Sequence, residues 1–362
     1  MAETNATILI PDISGFTEFM TTTELNHSSH AINMLIEAML KAVGDEYEVS
    51  EIEGDALLLI KKGAAPSRKE IYNTCIEIFS SFHIQRMFMQ QHAVCPCGAC
   101  QAIINLTLKF IVHHGPLAEI KVGRFVKQSG TEMIVAHRLL KNSIASNEYL
   151  LMTEKLLHEC GDSPELSEMT WTSSEEEYPS IGKVGYSYAL LNEARKKIPE
   201  PPAPENTYQT DDTSYLETSI GANFMDVYMV IMNIPGRAEW QEDLKKVEQE
   251  IPGVFVGSIH YCSFENFKSI ISPLRMNLSD EGIVYAESCR IEELNISLVH
   301  EFVFKKEGEN STKFSCRFIN AGVVAIPEAV YSDLLNQQQL MAEKLKTYCE
   351  KLEVSVLEPL IK

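Results

Sequence analysis

The chain lacks any apolar run approaching the roughly 20 residues that a membrane-spanning helix needs, so no membrane span is expected. It is also short of positive charge. Lys and Arg total 31 against 51 Asp and Glu, a formal net charge of -20 and a sequence pI of about 5.0. That balance disfavours general binding to nucleic-acid backbones or to anionic lipid, because both need a positive surface. A local basic pocket for a triphosphate stays open. The first residues, Met1-Ala2-Glu3-Thr4-Asn5, show no basic stretch leading into an apolar one, so no signal peptide is expected. The nine cysteines are odd in number and only three cluster, which suits a reducing cytoplasm better than a disulfide framework.

What is present is ordinary for a soluble globular protein: 45% hydrophobic and 23% charged residues. At 362 residues the chain is long enough for two cores. Four prolines between Pro199 and Pro204 remove backbone donors and stiffen the chain, which predicts a linker over residues 197–212. The domains are therefore expected over 1–196 and 213–362. In the first, Thr7 to Ile10 reads as a short strand ended by Pro11. Ile32, Leu35, Ile36, Met39, Leu40 and Val43 share one helical face. A hairpin is expected around Glu53-Gly54-Asp55, then a helix over 68–90, a strand over 106–112, a weaker one at 125–127 and a helix over 132–142. Strands at 149–152 and 186–191 follow. Ser173 to Glu177 reads as an exposed loop. This order is α+β, one sheet with helices packed against it. In the second domain, a strand at 214–220 and a helix at 225–232 lead to alternating segments at 254–262, 284–290, 297–305 and 312–319, which read as antiparallel strands. A long helix from about Pro327 closes the chain, with Val330, Leu334, Met341, Leu345, Tyr348 and Leu352 as its buried stripe.

The sharpest motif is Ile10-Pro11-Asp12-Ile13-Ser14-Gly15-Phe16-Thr17. An aspartate at a strand end can reach a metal ion, and the turn and helix start behind it aim backbone N–H groups outward, toward phosphate oxygens. In the second motif, Glu53-Gly54-Asp55, glycine permits the bend that carries Asp55 toward Asp12. Two carboxylates with nearby carbonyls suit Mg²⁺ or Mn²⁺ holding a triphosphate. Taken singly, Asp12 equally suits a helix N-cap and Asp55 a plain hairpin residue.

The strand with Asp12-Ile13-Ser14-Gly15-Phe16-Thr17 resembles the first signature of class III adenylate and guanylate cyclases, and Glu51-Ile52-Glu53-Gly54-Asp55-Ala56 resembles their second. Val112 to Pro116 is similar to the family's strand-to-Gly-Pro element, and Gly130 through Leu139 to its Arg-bearing helix. The resemblance covers roughly residues 6–192. It implies a ferredoxin-like cyclase domain that attacks the α-phosphate with the ribose 3′ oxygen and releases pyrophosphate. It implies two Mg²⁺ or Mn²⁺ ions on Asp12, Asp55 and the Ile13 carbonyl, a phosphate-binding turn at Ser14, Gly15, Phe16 and Thr17, and Arg138 as the transition-state arginine. It also implies a homodimer, because the family's site lies between two such domains. Base reading falls to Glu51 and Lys127, which equally suit pairing with each other. Lys183 stands nearest the phosphate lysine. There are departures. The family's transition-state asparagine falls on Ile134, which cannot hydrogen-bond, and the acidic residue after Gly130 is Thr131.

Two features lie outside that pattern. His92-Ala93-Val94-Cys95-Pro96-Cys97-Gly98-Ala99-Cys100 brings three thiols within six residues. They suit a structural zinc with His92, His113 or His114 as fourth ligand, and equally a loop of free thiols. The second domain resembles the START-like helix-grip fold of the polyketide-cyclase superfamily, through Val227 to Asn233 with Pro235, Arg237 and Glu239-Trp240. That resemblance implies a cavity between sheet and long helix for an apolar small molecule or lipid, with His260, Tyr261, Tyr285, Arg290 and His300 as candidate lining. Three functions are therefore expected: a nucleotidyl cyclase, complete or slow; a cyclase fold whose chemistry is lost, serving as a signalling scaffold; and a carrier acting through the second domain.

Overall fold

The computed structural model describes residues 3–23, 25–94, 101–123, 125–161, 169–201, 214–249, 254–322 and 326–352. The chain divides into two compact units. Residues 1–22, 31–88 and 102–201 form the first; 23–30, 89–101 and 202–362 form the second. Most of the proline-rich stretch, residues 202–212, lies outside the described residues, as do Cys95, Cys97 and Cys100.

The first unit is built on a mixed eight-stranded sheet. Its strands are β1 (Glu3–Ser14), β2 (Glu48–Glu53), β3 (Ala56–Lys62), β4 (Thr107–Val122), β5 (Phe125–Ser129), β6 (Tyr149–Thr153), β7 (Trp171–Tyr178) and β8 (Gly182–Leu190). The order is β2-β3-β1-β4-β6-β8-β7, with β5 paired to β4. Among the described residues, β4 and β6 are the one parallel pair of this sheet. Both faces of the central strands are buried, which is why β1 and β3 read as near-continuous apolar runs, not as alternations. One face packs Ile8, Ile10, Leu58 and Ile111 against Met133, Val135, Ala136 and Leu139. Helices α1 (Phe16–Thr22), α4 (Thr131–Leu139), α5 (Glu154–Cys160) and α6 (Asn192–Arg195) lie in this unit, as do most of α2 (Leu25–Ala42) and of α3 (Arg68–Gln91). The start of α3 is set by a capping box. The Ser67 N–H donates to Glu70 Oε2 at 2.7 Å, and the Glu70 N–H returns to Ser67 Oγ at 3.3 Å.

The second unit holds a seven-stranded, wholly antiparallel sheet, in the order β10-β11-β12-β13-β14-β15-β9. These strands are β9 (Leu216–Ile220), β10 (Leu244–Gln249), β11 (His260–Phe264), β12 (Lys268–Ser279), β13 (Gly282–Ile291), β14 (Ile296–Gly308) and β15 (Ser311–Asn320). Helix α7 (Phe224–Met232) starts at Asn223, whose Oδ1 accepts the Met225 N–H at 2.9 Å. A 3₁₀ turn, Ile234–Glu239, follows it. The final helix, α8 (Glu328–Cys349), buries Gln338, Met341, Ala342, Leu345 and Cys349. Tyr348 is only half-buried, and its hydroxyl donates to Glu239.

Four local expectations change. Pro11 does not end β1. The strand runs on to Ser14 because the pairing with β3 lapses at Ile10 and Pro11 and resumes at Asp12, so the missing N–H breaks no rung. Ser173 to Glu177 is not a loop but the centre of the edge strand β7. Its exposed carboxylates are the charges that keep a sheet edge from pairing with another chain. Residues 254–259 form no strand; only 260–264 do. Strand β12 has no counterpart among the expected segments; Pro273 falls inside it, and a register shift between Pro273 and Arg275 accommodates the missing N–H.

Candidate functional site

Asp12 lies near the end of β1, directly opposite Lys109 of β4 and Ala56 of β3. Asp55 sits in the turn between β2 and β3, which Gly54 makes possible at φ 66°. The Ile13 N–H donates to the Asp55 carbonyl at 3.1 Å, tying the hairpin tip to β1. Asp55 feels the charge of Asp12. Burial, then the neighbouring Asp12 charge, push Asp55 up to about 6. Asp12 is also raised, by burial first, with Lys109 opposing.

Lys109 is the residue that sequence reasoning missed. Its Nζ stands 2.9 Å from Asp12 Oδ2, with both side chains largely buried, and donates at 3.3 Å to the Leu140 carbonyl just after α4. The signal was available: a lysine inside an otherwise apolar strand is rarely buried without a carboxylate. Behind Asp12, Gly15 takes φ 89° to turn the chain into α1. Gly15 and Thr17 are exposed, Phe16 is half-buried, and Ser14 Oγ is buried with no hydrogen-bond partner among the described residues.

A second group surrounds α4. An open groove of about 600 Å³ is lined by Lys127, Gly130, Ile134, His137, Arg138 and Tyr178, among others. Arg138 is exposed there, and its carbonyl accepts the Tyr178 hydroxyl at 3.0 Å. Ile134 is 52% exposed, an apolar side chain among the polar Lys127, His137, Arg138 and Tyr178 of the groove. Glu51 and Lys127 meet: Nζ to Oε2 is 2.9 Å. Two residues on from Glu51, Glu53 Oε2 lies 3.4 Å from His137 Nδ1. Lys183 does not line the groove; it is exposed on β8, with Nζ 2.5 Å from Glu175. The predicted residues thus fall into an aspartate pair with Lys109 and a groove around Arg138, with Lys183 apart from both.

The start of α4 is fixed from outside the groove. Glu132 Oε2 lies 2.5 Å from His113 Nε2, and Oε1 takes the Lys155 Nζ at 2.7 Å. His113 Nδ1 meets Thr153 Oγ1 at 2.8 Å. The His113 hydrogen bond, assisted by Lys155 against the effect of burial, holds Glu132 down at about 2. His114 is engaged by Thr7 and Glu159. Of the proposed zinc set the three cysteines lie outside the described residues; His113 and His114 are engaged as above, and His92 is half-buried just past α3.

As a test of fit for metal ions, no three His, Cys, Asp or Glu side chains converge among the described residues. Asp12 and Asp55 supply carboxylate oxygens of the kind hard cations take, and Lys109 already holds one oxygen of Asp12.

In the second unit a cavity of about 80 Å³ is lined by Ile231, Trp240, Phe264, His300, Phe302 and Met341, among others. Of the five residues expected to line it, His300 does. His260 and Tyr285 are buried outside it, and Tyr261 and Arg290 are exposed.

A family model described as a protein of unknown function (DUF2652) matches residues 32–149, less than half of the chain. An uncharacterized protein of Mycobacterium tuberculosis, Rv2561/Rv2562, is 29% identical over 174 residues, 48% of this chain and 78% of that one. Among solved structures, a bacterial light-regulated adenylyl cyclase is similar with a TM-score of 0.40 and 16% identity, over 53% of each chain. The chain thus spans about half the length of that cyclase. The guanylyl cyclase Cya2 is similar with a TM-score of 0.38 and 13% identity, over 57% of this chain and 96% of that one. The adenylyl cyclase CyaB from P. aeruginosa has a TM-score of 0.35 and 14% identity, over 52% of this chain and 95% of that one. No helix among the described residues is long and apolar enough to cross a membrane.

Proposed function

We propose that the first unit is a nucleotidyl-cyclase-type module, which binds a nucleoside triphosphate through a divalent cation on Asp12 and Asp55 and cyclises it slowly. One observation carries this reading: Asp12 and Asp55 come from separate elements, are tied together where the Ile13 N–H meets the Asp55 carbonyl, and the Asp12 charge raises the proton affinity of Asp55. Two such carboxylates repel unless a cation stands between them, which is how sites for Mg²⁺ or Mn²⁺ with phosphate ligands are built. A bound ion would neutralise triphosphate oxygens. The chain's own residues do the rest. The main chain from Ser14 to Thr17 turns at Gly15 beside the pair, and Arg138 stands exposed in the α4 groove as an anion ligand. In a homodimer that groove would face the aspartate pair of the other copy.

Slowness follows from the groove's chemistry. Ile134 supplies no hydrogen bond to a developing charge, and losing one oriented donor typically costs about 10² to 10³ in rate. Lys127 is engaged by Glu51, so neither is free to read a base without breaking that pair. The test is Mn²⁺-dependent binding of fluorescent ATP and GTP analogues to the full chain, with cyclic product measured by mass spectrometry. Asp55→Asn should abolish Mn²⁺-dependent binding; if it binds as the parent does, the reading fails. Binding with no product at all would leave the scaffold form of the same module.

The cavity of the second unit favours a second reading, a helix-grip domain holding a small apolar molecule. The Trp240 Nε1 donor lines this cavity's wall, buried and without a partner among the described residues. A co-purifying small molecule seen by native mass spectrometry, lost on Phe302→Trp, would support it. A bare chain from every expression host would argue against it.

A further inference from the structure

Resting on the reading of Asp12 and Asp55 as a triphosphate-cation site, we infer that Lys109 fills the seat of one of the two cations, so that this chain takes a single divalent ion. Three observations carry the inference. Asp12 and Lys109 are cross-strand partners in the β1–β4 register, so the sheet itself delivers the ammonium to the carboxylate. The contact is close, 2.9 Å from Nζ to Oδ2, and both side chains are largely shielded, at 17% and 14% exposed. The ammonium is held from its other side by the Leu140 carbonyl at 3.3 Å, which ties it to the end of α4. An exposed lysine on a swinging stem would step aside for a metal ion, but this one would lose two partners in a partly desolvated place.

Charge and geometry then limit what else fits. Two-ion sites place their metals about 3.5–4 Å apart and need both carboxylates to bridge them. Here one Asp12 oxygen already faces a full positive charge, and no third His, Cys, Asp or Glu converges on the pair among the described residues. The two aspartates and Lys109 together carry one net negative charge when ionised. One divalent ion turns that to one positive, which suits a polyphosphate. A second would crowd the ammonium, with little left to ligate it. The other oxygen of Asp12, the Asp55 carboxylate and nearby carbonyls are what remain for one ion.

The test counts ions. The full chain is saturated with a non-hydrolysable GTP or ATP analogue, and bound Mn²⁺ is measured by equilibrium dialysis with elemental analysis and by electron paramagnetic resonance. The expected result is one Mn²⁺ per chain, with no signal from spin-coupled Mn²⁺ pairs. Lys109→Met should admit a second ion and produce the coupled signal, and Lys109→Arg should stay at one. Two ions in the parent chain, with the coupled signal, overturn the inference. So does a count of one in Lys109→Met with the parent's circular dichroism spectrum. Should Lys109→Met fail to fold, the parent's own count and spectrum decide. Asp55→Asn separates this claim from the one beneath it. If that variant keeps the parent's Mn²⁺, the cation-site reading itself fails; if it loses the Mn²⁺ while the parent holds two ions, only the role of Lys109 falls.

Discussion

Replacing Glu287 by glutamine keeps the shape of the side chain and removes its charge, which leaves Arg237 as a buried cation without a counter-ion. Arg237 sits in the 3₁₀ turn after α7 at 5% exposed, and Glu287 on β13 at 1%. Their contact is two-pronged: Nη1 to Oε1 at 2.8 Å and Nη2 to Oε2 at 2.6 Å. The third donor, Nε, reaches the Ile231 carbonyl at 2.7 Å, and the Tyr285 hydroxyl adds a bond to Glu287 at 3.1 Å. Burial by itself would pull the Arg237 proton off more easily, but the Glu287 charge outweighs it and the pKa ends above the usual arginine value. Breaking a buried pair from one side costs about 3–5 kcal/mol, most of it the uncompensated charge. For a unit of this size each kcal/mol moves Tm by about 2–4 °C, so the second unit should melt roughly 6–20 °C lower. Of the two tryptophans, Trp171 belongs to the first unit and Trp240 to the second. In a Trp171→Phe background, thermal unfolding followed by Trp240 fluorescence therefore reports the second unit alone. The double variant Arg237→Met with Glu287→Leu should recover most of the loss, because apolar replacements leave no orphaned charge. A loss below about 1 kcal/mol in Glu287→Gln would refute the reasoning, and would mean that water or a neighbouring group takes over the arginine.

Two further outcomes are expected. Glu132, held at about 2 in the fold, has an ordinary value of 4.5, so its folded pKa is depressed. Its contribution to stability is present above about pH 4.5 and lost as pH falls from there toward 2. Urea midpoints of Trp171 fluorescence between pH 3 and 6 should therefore fall more steeply for the parent than for Glu132→Gln, and equal slopes would count against the His113–Glu132–Lys155 arrangement. Ile134→Asn, at a half-exposed site, should change stability by less than about 0.5 kcal/mol. On the proposed function it should raise Mn²⁺-dependent cyclic-nucleotide formation by about 10²-fold, read by mass spectrometry.

Local chemistry was legible in the sequence. The start of the helix expected over 68–90, the glycine at the hairpin tip beside Asp55 and the apolar face from Ile32 to Val43 each lie within a few residues of chain. Backbone sterics and helical periodicity act over that range. The Glu51–Lys127 contact was readable only as one of two alternatives, and the fold brings the pair together at 2.9 Å. What tertiary structure alone decided are pairings across long stretches of chain. Lys109 meets Asp12 because β1 and β4 share a register, and Arg237 meets Glu287 because a turn after α7 lies over β13. Pro11 and Pro273 stay inside strands because one neighbour's pairing lapses or shifts where each proline falls. The charged segment from Ser173 to Glu177 becomes β7 because β8 offers it an edge. In each case the residue's role depends on which strand lies beside it. That is a property of register, and no window along the chain contains it.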